Sequence, residues 1–177
     1  MKATELLKSQ HREVDELIAE LQDAEGCARG PLVAQLASNL VAYSAVETEI
    51  LYPVCLEEIG SDEDLLESFE EHGLIETCLH TLLSVSVDDE TFDAKLAVLK
   101  QLFQHHTAKE EDDLFPEMER SLPPARVREL GREIETRFLE CVENGYEERL
   151  TEAVAEYVPM LRMLSARIHA TRTRAAS

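Results

Sequence analysis

The sequence predicts an all-α protein, an antiparallel up-down-up-down four-helix bundle with one or two additional C-terminal helices. Apolar residues recur at spacings of three and four along most of the 177-residue chain, which is the period of a helix with one buried face. Leu, Ala, Glu and Arg dominate while Gly and Pro number six each, and this composition favours helix over strand. Short connections between the first four periodic segments favour antiparallel neighbours.

A glycine-containing break separates the first two helices. The first starts near Thr4 and ends around Gly26, where a glycine can stop a helix. The second opens at Gly30-Pro31, because a proline in the first turn has no intrahelical N–H bond to lose. The inward stripes comprise Leu7, His11, Val14, Ile18 and Leu21 in the first helix, and Leu36, Leu40, Tyr43, Glu47, Ile50 and Val54 in the second.

The third and fourth helices follow the same period. Ser61 is a suitable start for the third helix, with acidic residues behind it, and Asp88-Asp89 marks the next turn. Leu122-Pro123-Pro124 interrupts the fourth helix. The inward stripes comprise Leu65, Phe69, His72, Ile75, Leu79 and Leu82 in the third helix, and Leu96, Leu99, Phe103, His106, Glu110 and Leu114 in the fourth.

The last third of the chain predicts two more helices. Apolar residues from Val127 to Cys141 indicate a fifth helix that ends at Asn144-Gly145, and those from Leu150 to Ile168 indicate a sixth, kinked at Pro159. We therefore expect residues 1–121 to form the four-helix bundle and residues 122–177 to form a C-terminal helical extension packed on it. These C-terminal helices could also mediate a homodimer.

Charge and apolar content exclude several classes of partner. A net charge of −20 argues against nucleic acid, because phosphate binding needs a basic face. No apolar run approaches the roughly 20 residues needed to span a bilayer, and the charged N-terminus is not a signal peptide. The cysteines are widely spread without a CxxC pair, as incidental thiols would be. We expect a cytoplasmic protein that binds neither nucleic acid nor membrane.

Polar side chains interrupt the four inward stripes. They are His11 on the first helix, Glu47 on the second, His72 on the third, and His106 with Glu110 on the fourth. A buried carboxylate must be protonated, paired or bound to a metal, and neither glutamate has a Lys or Arg on its stripe. Three imidazoles and two carboxylates that converge in a bundle core indicate a metal site. The acidic run 111–113 that follows Glu110 is expected to be a solvated helix face.

An internal repeat supports a site with two metals. Residues 43–53, YSAVETEILYP, align without gaps on residues 106–116, HTAKEEDDLFP. Glu, Leu, an aromatic residue and Pro match at identical offsets. Because residues four apart share one helix face about 6 Å apart, each segment presents two inward groups, and two equivalent helices can present them about a pseudo-twofold axis.

These motifs resemble those of the hemerythrin-like, HHE cation-binding proteins. That family has one His on the first helix, HxxxE before an aromatic-Pro on the second, His within EEH on the third, and HxxxE before FP on the fourth. The corresponding segments here are QHREVDEL, YSAVETEILYP, FEEHGLIETCL and HHTAKEEDDLFP. The resemblance covers roughly residues 4–120 in the same order, and does not extend to the tail.

The resemblance implies a ligand set and a cofactor. His11, His72, His106 and Glu110 would be metal ligands, and Glu47 would be a ligand that bridges with Glu110. The family binds a non-haem di-iron centre with an open position for a small ligand. Carboxylate and imidazole donors suit iron or manganese, with zinc a further possibility, and the absence of thiolates in the motifs argues against a structural zinc site.

Tyr43 is the one departure from the family pattern, because it stands where the second helix should supply a His. Three interpretations remain open. Tyr43 could ligate iron as a phenolate, it could donate a hydrogen bond to a bridging glutamate or a bound water, or the site could have become mononuclear or metal-free. A buried tyrosine that only fills the core is as good an explanation as direct ligation. The neighbouring Tyr52 is expected to be a packing residue, with contact to the metal ligands as the lesser alternative.

The leading functional hypothesis is a di-iron protein that binds or senses O2, peroxide or NO. One alternative is a catalase-like or iron-centre repair enzyme with the same metals. The other is a degenerate signalling or interaction bundle with one metal or none, which the departure at Tyr43 favours. The motifs do not decide whether the protein is an enzyme, since no acid–base residue stands outside the ligand set.

Overall fold

The computed structural model describes residues 1–60, 62–155 and 157, and within these ranges the chain is helical without strands, as predicted. Two short π-helical turns and one 3-10 turn join or extend the α-helices. The α-helices are α1 (Ala3–Asp23), α2 (Arg29–Val46), α3 (Tyr52–Glu58), α4 (Asp62–Leu83), α5 (Phe92–Lys109), α6 (Phe115–Ser121) and α7 (Pro124–Asn144), with α8 at residues 147–155.

The first six α-helices build the four rods of the predicted bundle. A π turn, Glu47–Leu51, joins α2 to α3, and another, Glu110–Leu114, joins α5 to α6, so each pair forms one continuous rod. Helix α1 packs against α2 and α5, and α4 packs against the same two helices, which closes a ring of four. The all-helical bundle predicted from periodicity is thus confirmed.

The additional helices lie outside this ring. Helix α7 packs along α1 and α2 and ends at Gly145, whose φ of 79° is readily adopted by glycine. Helix α8 follows directly. The kink predicted at Pro159 lies outside the described residues. So does the rest of the apolar stripe predicted for the sixth helix, as far as Ile168. The division into a bundle of residues 1–121 and an extension of residues 122–177 stays a prediction.

Both π turns begin at the glutamate of the internal repeat and precede its proline. A proline inside a helix lacks the N–H donor and collides with the carbonyl four residues earlier. A wider turn relieves this conflict: the N–H of Tyr52 bonds to the carbonyl of Glu47, and the N–H of Phe115 to that of Glu110, each five residues back. Such single π turns occur often at functional sites.

The π turns shift the buried stripe by one residue. Ile50 and Val54, which were expected to face the core, are only partly buried, while Leu51 and Cys55 are completely buried. On the fourth rod Phe115 is buried where Leu114 was expected. The ungapped 3.6-residue period fails here because a π turn inserts one residue into the helix.

The described part of the chain offers no helix long and apolar enough to cross a membrane. The four cysteines are all free thiols. Two of them, Cys55 and Cys141, are buried, Cys78 is half-buried and Cys27 is exposed.

Gly131 is where α7 meets the start of α1. It is buried, and a Cβ at this position would lie 2.7 Å from the carbonyl oxygen of Met1 and 2.9 Å from the nitrogen of Ala3. Both atoms belong to backbone, which cannot move aside as a flexible side chain can. The docking of α7 on α1 therefore depends on the absence of a side chain at residue 131.

We expect Gly131→Ala to lower the free energy of unfolding by about 1–3 kcal/mol, as overpacking of a close contact usually does. Thermal unfolding followed by circular dichroism measures the change. The matched control is Gly30→Ala in α2, where a Cβ meets nothing within 4 Å, so its Tm should equal or exceed that of the parent. An unchanged Tm for Gly131→Ala would contradict the close docking of α7.

Candidate metal centre

The six residues singled out by the sequence converge in the middle of the bundle. Each of the four rods contributes at least one, and all six side chains are buried, with at most 2% of their surface exposed. They are His11 from α1, Tyr43 and Glu47 from the second rod, His72 from α4, and His106 and Glu110 from the fourth rod.

Glu47 lies at the centre of the histidines. Its Oε2 is 3.0 Å from Nε2 of His72 and 3.7 Å from Nε2 of His106, and its Oε1 is 4.0 Å from Nε2 of His11. All three imidazoles thus present the same ring nitrogen, Nε2, to one carboxylate. This single carboxylate therefore lies within reach of all three imidazoles.

Glu110 occupies the equivalent place on the fourth rod. Its Oε2 is 3.5 Å from Nε2 of His11 and 3.6 Å from Nε2 of His106. The hydroxyl of Tyr43 donates a hydrogen bond to Oε2 at 2.8 Å, and that of Tyr52 donates one to Oε1 at the same distance. Both oxygens are thereby oriented by phenols from the opposite rod.

The donor atoms separate into two overlapping triads. One comprises Glu47, His72 and His106, and the other comprises His11, Glu47 and Glu110; within each triad the donor atoms lie within 4.8 Å of one another. A triad of this size can surround one metal ion. The shared member, Glu47, has the position of a carboxylate that bridges two ions.

Tyr43 and Tyr52 both point into the cluster. Besides its bond to Glu110, Tyr52 places its hydroxyl 2.9 Å from Nε2 of His72 and 3.4 Å from Nε2 of His106. Tyr52 is fully buried, and its contacts with three candidate ligands make it part of the site rather than the packing residue expected from the sequence. The one-residue shift at the π turn brings it inward.

Two further carboxylates hold the outer nitrogen of a histidine. Oε1 of Glu111 is 2.8 Å from Nδ1 of His11, and Oε2 of Glu71 is 2.8 Å from Nδ1 of His106. A carboxylate at Nδ1 accepts that proton and leaves Nε2 free to bind a metal, and it also fixes the ring orientation. Glu111 is half-buried, so the prediction of a solvated face from 111 to 113 is wrong for this residue. Asp112 and Asp113 are exposed.

The two central carboxylates are electrostatically unequal. Burial alone would raise the pKa of Glu47, but the imidazoles of His106, His11 and His72 outweigh it and hold that pKa well below its usual range. For Glu110, burial and the negative charge of Glu47 raise the pKa to about 8. Two adjacent buried carboxylates resist simultaneous ionisation, and without added positive charge one of them tends to keep a proton.

The same buried charges shift the pKa values of the histidines and of Tyr43. Burial would lower the pKa of His106, yet Glu110, Glu47 and Glu71 raise it to about 10. Burial does lower the pKa of His72, helped by the charge of His106. For Tyr43, burial and the charges of Glu110 and Glu47 raise the pKa well above its usual range, so in the absence of a cation its phenol remains a hydrogen-bond donor.

Several buried polar atoms lack hydrogen bonds, and these fit a metal. Among the described residues, no hydrogen bond reaches Oε1 or Oε2 of Glu47 or Nε2 of His11. Such orphaned polar atoms are rare in folded proteins and costly unless a ligand satisfies them. These are the same atoms that the two triads direct inward. The residues present therefore suit a pair of divalent or trivalent cations.

Comparison with known proteins gives the family. The model of the Hemerythrin HHE cation binding domain matches residues 2–118, and the chain belongs to this family. A search of curated proteins gave no significant match.

Among solved structures, the chain is similar to a Hemerythrin HHE cation binding domain-containing protein, the Rv2633c homolog from Mycobacterium kansasii. The two are 19% identical, with a TM-score of 0.76 over 86% of this chain and 99% of the other. At this identity the likeness shows a shared fold.

The pKa of Glu110 predicts how stability depends on pH in protein treated with a chelator. A carboxyl whose pKa rises from 4.5 to about 8 on folding stabilises the fold fully below pH 4.5, and this contribution is lost as the pH rises to 8. We expect Glu110→Gln to flatten the corresponding decline in Tm, measured by scanning calorimetry. Asp112→Asn, on the exposed face, should retain the decline of the parent. An equal decline in the Glu110 variant would contradict this assignment.

Proposed function

We propose that this protein holds a non-haem di-iron centre that binds or senses a small ligand such as O2, peroxide or NO. The observation that carries the proposal is the pair of buried triads that share Glu47. His72 and His106 would hold one iron and His11 would hold the other. Glu47 would bridge the two, and Glu110, which is near Nε2 of both His11 and His106, would be the second bridge.

The donor set favours iron or manganese over a structural zinc. Two carboxylates, three imidazoles and phenols are hard or borderline donors, which suit iron and manganese, and no thiol belongs to either triad. Zinc generally prefers a closed tetrahedral site when its role is structural. The membership of the chain in a cation-binding family supports a metal, and elemental analysis distinguishes iron from manganese and zinc.

The protein would limit access and supply hydrogen bonds, while the irons would supply redox chemistry towards the small ligand. The ring of His11 stacks on Phe115 at a centroid distance of 5.7 Å and meets Phe103 edge-on at 6.1 Å. These rings exclude water from one side of the centre. On the second rod, the hydroxyls of Tyr43 and Tyr52 supply protons or hydrogen bonds beside Glu110.

We expect Glu47→Gln to abolish stoichiometric metal binding, because it removes charge from the one donor common to both triads. The protein is loaded with ferrous iron without oxygen, desalted and analysed for iron by plasma emission. The parent should retain close to two irons per chain, one for each triad. The control Glu57→Gln changes an exposed glutamate on the same rod and should behave like the parent. A parent that retains no metal would overturn the proposal.

Tyr43→Phe and Tyr52→Phe test which phenol becomes a ligand. A phenolate bound to ferric iron gives a strong visible absorption band, whereas a phenol that only donates to Glu110 gives none. A band of the aerobically oxidised protein that disappears in Tyr43→Phe, with iron content retained, would establish Tyr43 as a phenolate ligand. Loss of the band in Tyr52→Phe alone would transfer that role to Tyr52. If the parent has no such band, both tyrosines act as hydrogen-bond donors.

A further inference from the structure

A cleft of about 960 Å³ opens between α2, α4 and α8 beside the metal centre. Helix α8 and Tyr157 form its outer wall. The ring of Tyr157 lies directly against Gly73, where any Cβ would come within 2.4 Å of the ring. Of the six candidate ligands, His72 is the one that lines this cleft, so the cleft leads to the centre from the α4 side.

His72 differs from the other two histidines at its outer nitrogen. Nδ1 of His11 and Nδ1 of His106 each contact a carboxylate, but no described residue forms a hydrogen bond with Nδ1 of His72. His72 is only 2% exposed. Its Nε2 lies against Tyr52 and Glu47, and the residue also lines the cleft. Nδ1 is therefore a buried donor or acceptor without a partner among the described residues, in a side chain that lines the cleft.

Glu76 stands one helical turn after His72 and also lines the cleft. Its Oε1 accepts a hydrogen bond from the hydroxyl of Ser44 at 2.6 Å. Among the described residues no cation pairs with this half-buried carboxylate. The sequence His72-Gly-Leu-Ile-Glu76 has the same four-residue spacing as His106 and Glu110, so α4 offers an imidazole and a carboxylate on one face.

The charge of the cleft favours a cation over an anion. Among the described residues that line it, one carries a guanidinium, Arg149, which is bound to Glu49. Three carboxylates, those of Glu70, Glu76 and Glu152, line the cleft with no cationic partner among the described side chains. Walls of one sign raise the local concentration of the opposite ion.

We propose that this cleft is the route by which a divalent metal ion reaches the centre. Glu76 and Nδ1 of His72 would form a transient binding site on that route. This inference rests on the proposed metal-binding function. Glu76 would exchange its bond to Ser44 for the ion, and the ion would then move inward to the Nε2 side of His72. Glu76 would not be a ligand in the loaded centre.

The test uses Co2+ as the probe, added to chelator-treated full-length protein in a stopped-flow spectrometer. We expect Glu76→Gln and Glu76→Ala to slow uptake by about tenfold, as loss of electrostatic steering does, while the final cobalt content and spectrum match those of the parent. The amide of Glu76→Gln can still accept a hydrogen bond from Ser44. Because that amide oxygen could itself coordinate cobalt, Glu76→Ala is included as the variant that has no side-chain oxygen at this position. Circular dichroism establishes that both variants are folded.

Glu117→Gln is the matched control. Glu117 lines a second, much smaller pocket of about 60 Å³ that reaches Glu110 from the opposite side of α4. Unchanged uptake in both Glu76 variants would overturn the route while leaving the metal centre intact, as would slow uptake in Glu117→Gln alone. A lower final cobalt content in the Glu76 variants would make Glu76 a permanent ligand, against the proposal. A parent that takes up no cobalt overturns the metal-binding function itself.

Discussion

Two carboxylates buried in the core of a helical bundle are the constraint around which this protein is organised. Glu47 and Glu110 are almost completely inaccessible to water, and an unpaired charge in such a place costs several kcal/mol. Three imidazoles and two phenols from the rods surround these two carboxylates. Even so, Glu47 retains unsatisfied oxygens. Such a local cost in stability is typical of functional sites.

The geometry of the cluster originates in two prolines. Pro53 and Pro116 each force a π turn that begins at a central glutamate. The preceding helix already directs the glutamate inward, and the wider turn then brings the aromatic residue before the proline to the same side. The repeat therefore duplicates a backbone device as well as a set of side chains. Its two copies have diverged in the aromatic: Tyr52 donates to Glu110, whereas Phe115 stacks on His11.

Local periodicity was sufficient to predict the bundle and the six residues that meet in its core. It placed His11 and His72 correctly because α1 and α4 are regular helices, whose phase is constant along their length. It failed after Glu47 and Glu110, since a π turn changes the phase. Glu71 and Glu111 were missed for another reason: their importance lies in contacts with helices distant in sequence, and on their own helices they have the spacing of solvated residues. An aromatic-Pro pair within a helical pattern is the signal that could have revealed the shifted phase.

The outer nitrogens divide the centre into a rigid part and an adaptable part. His11 and His106 are each fixed by a carboxylate, and Glu71, which holds His106, is itself within 4 Å of Lys109 and His105. These imidazoles cannot turn without breaking a charged contact. His72 has no comparable restraint on Nδ1 among the described residues, and the ring of Tyr157 lies against Gly73, the next residue. The candidate ligand without a partner on its outer nitrogen is thus the one that lines the cleft, and this arrangement supports the proposal that a metal ion enters from that side.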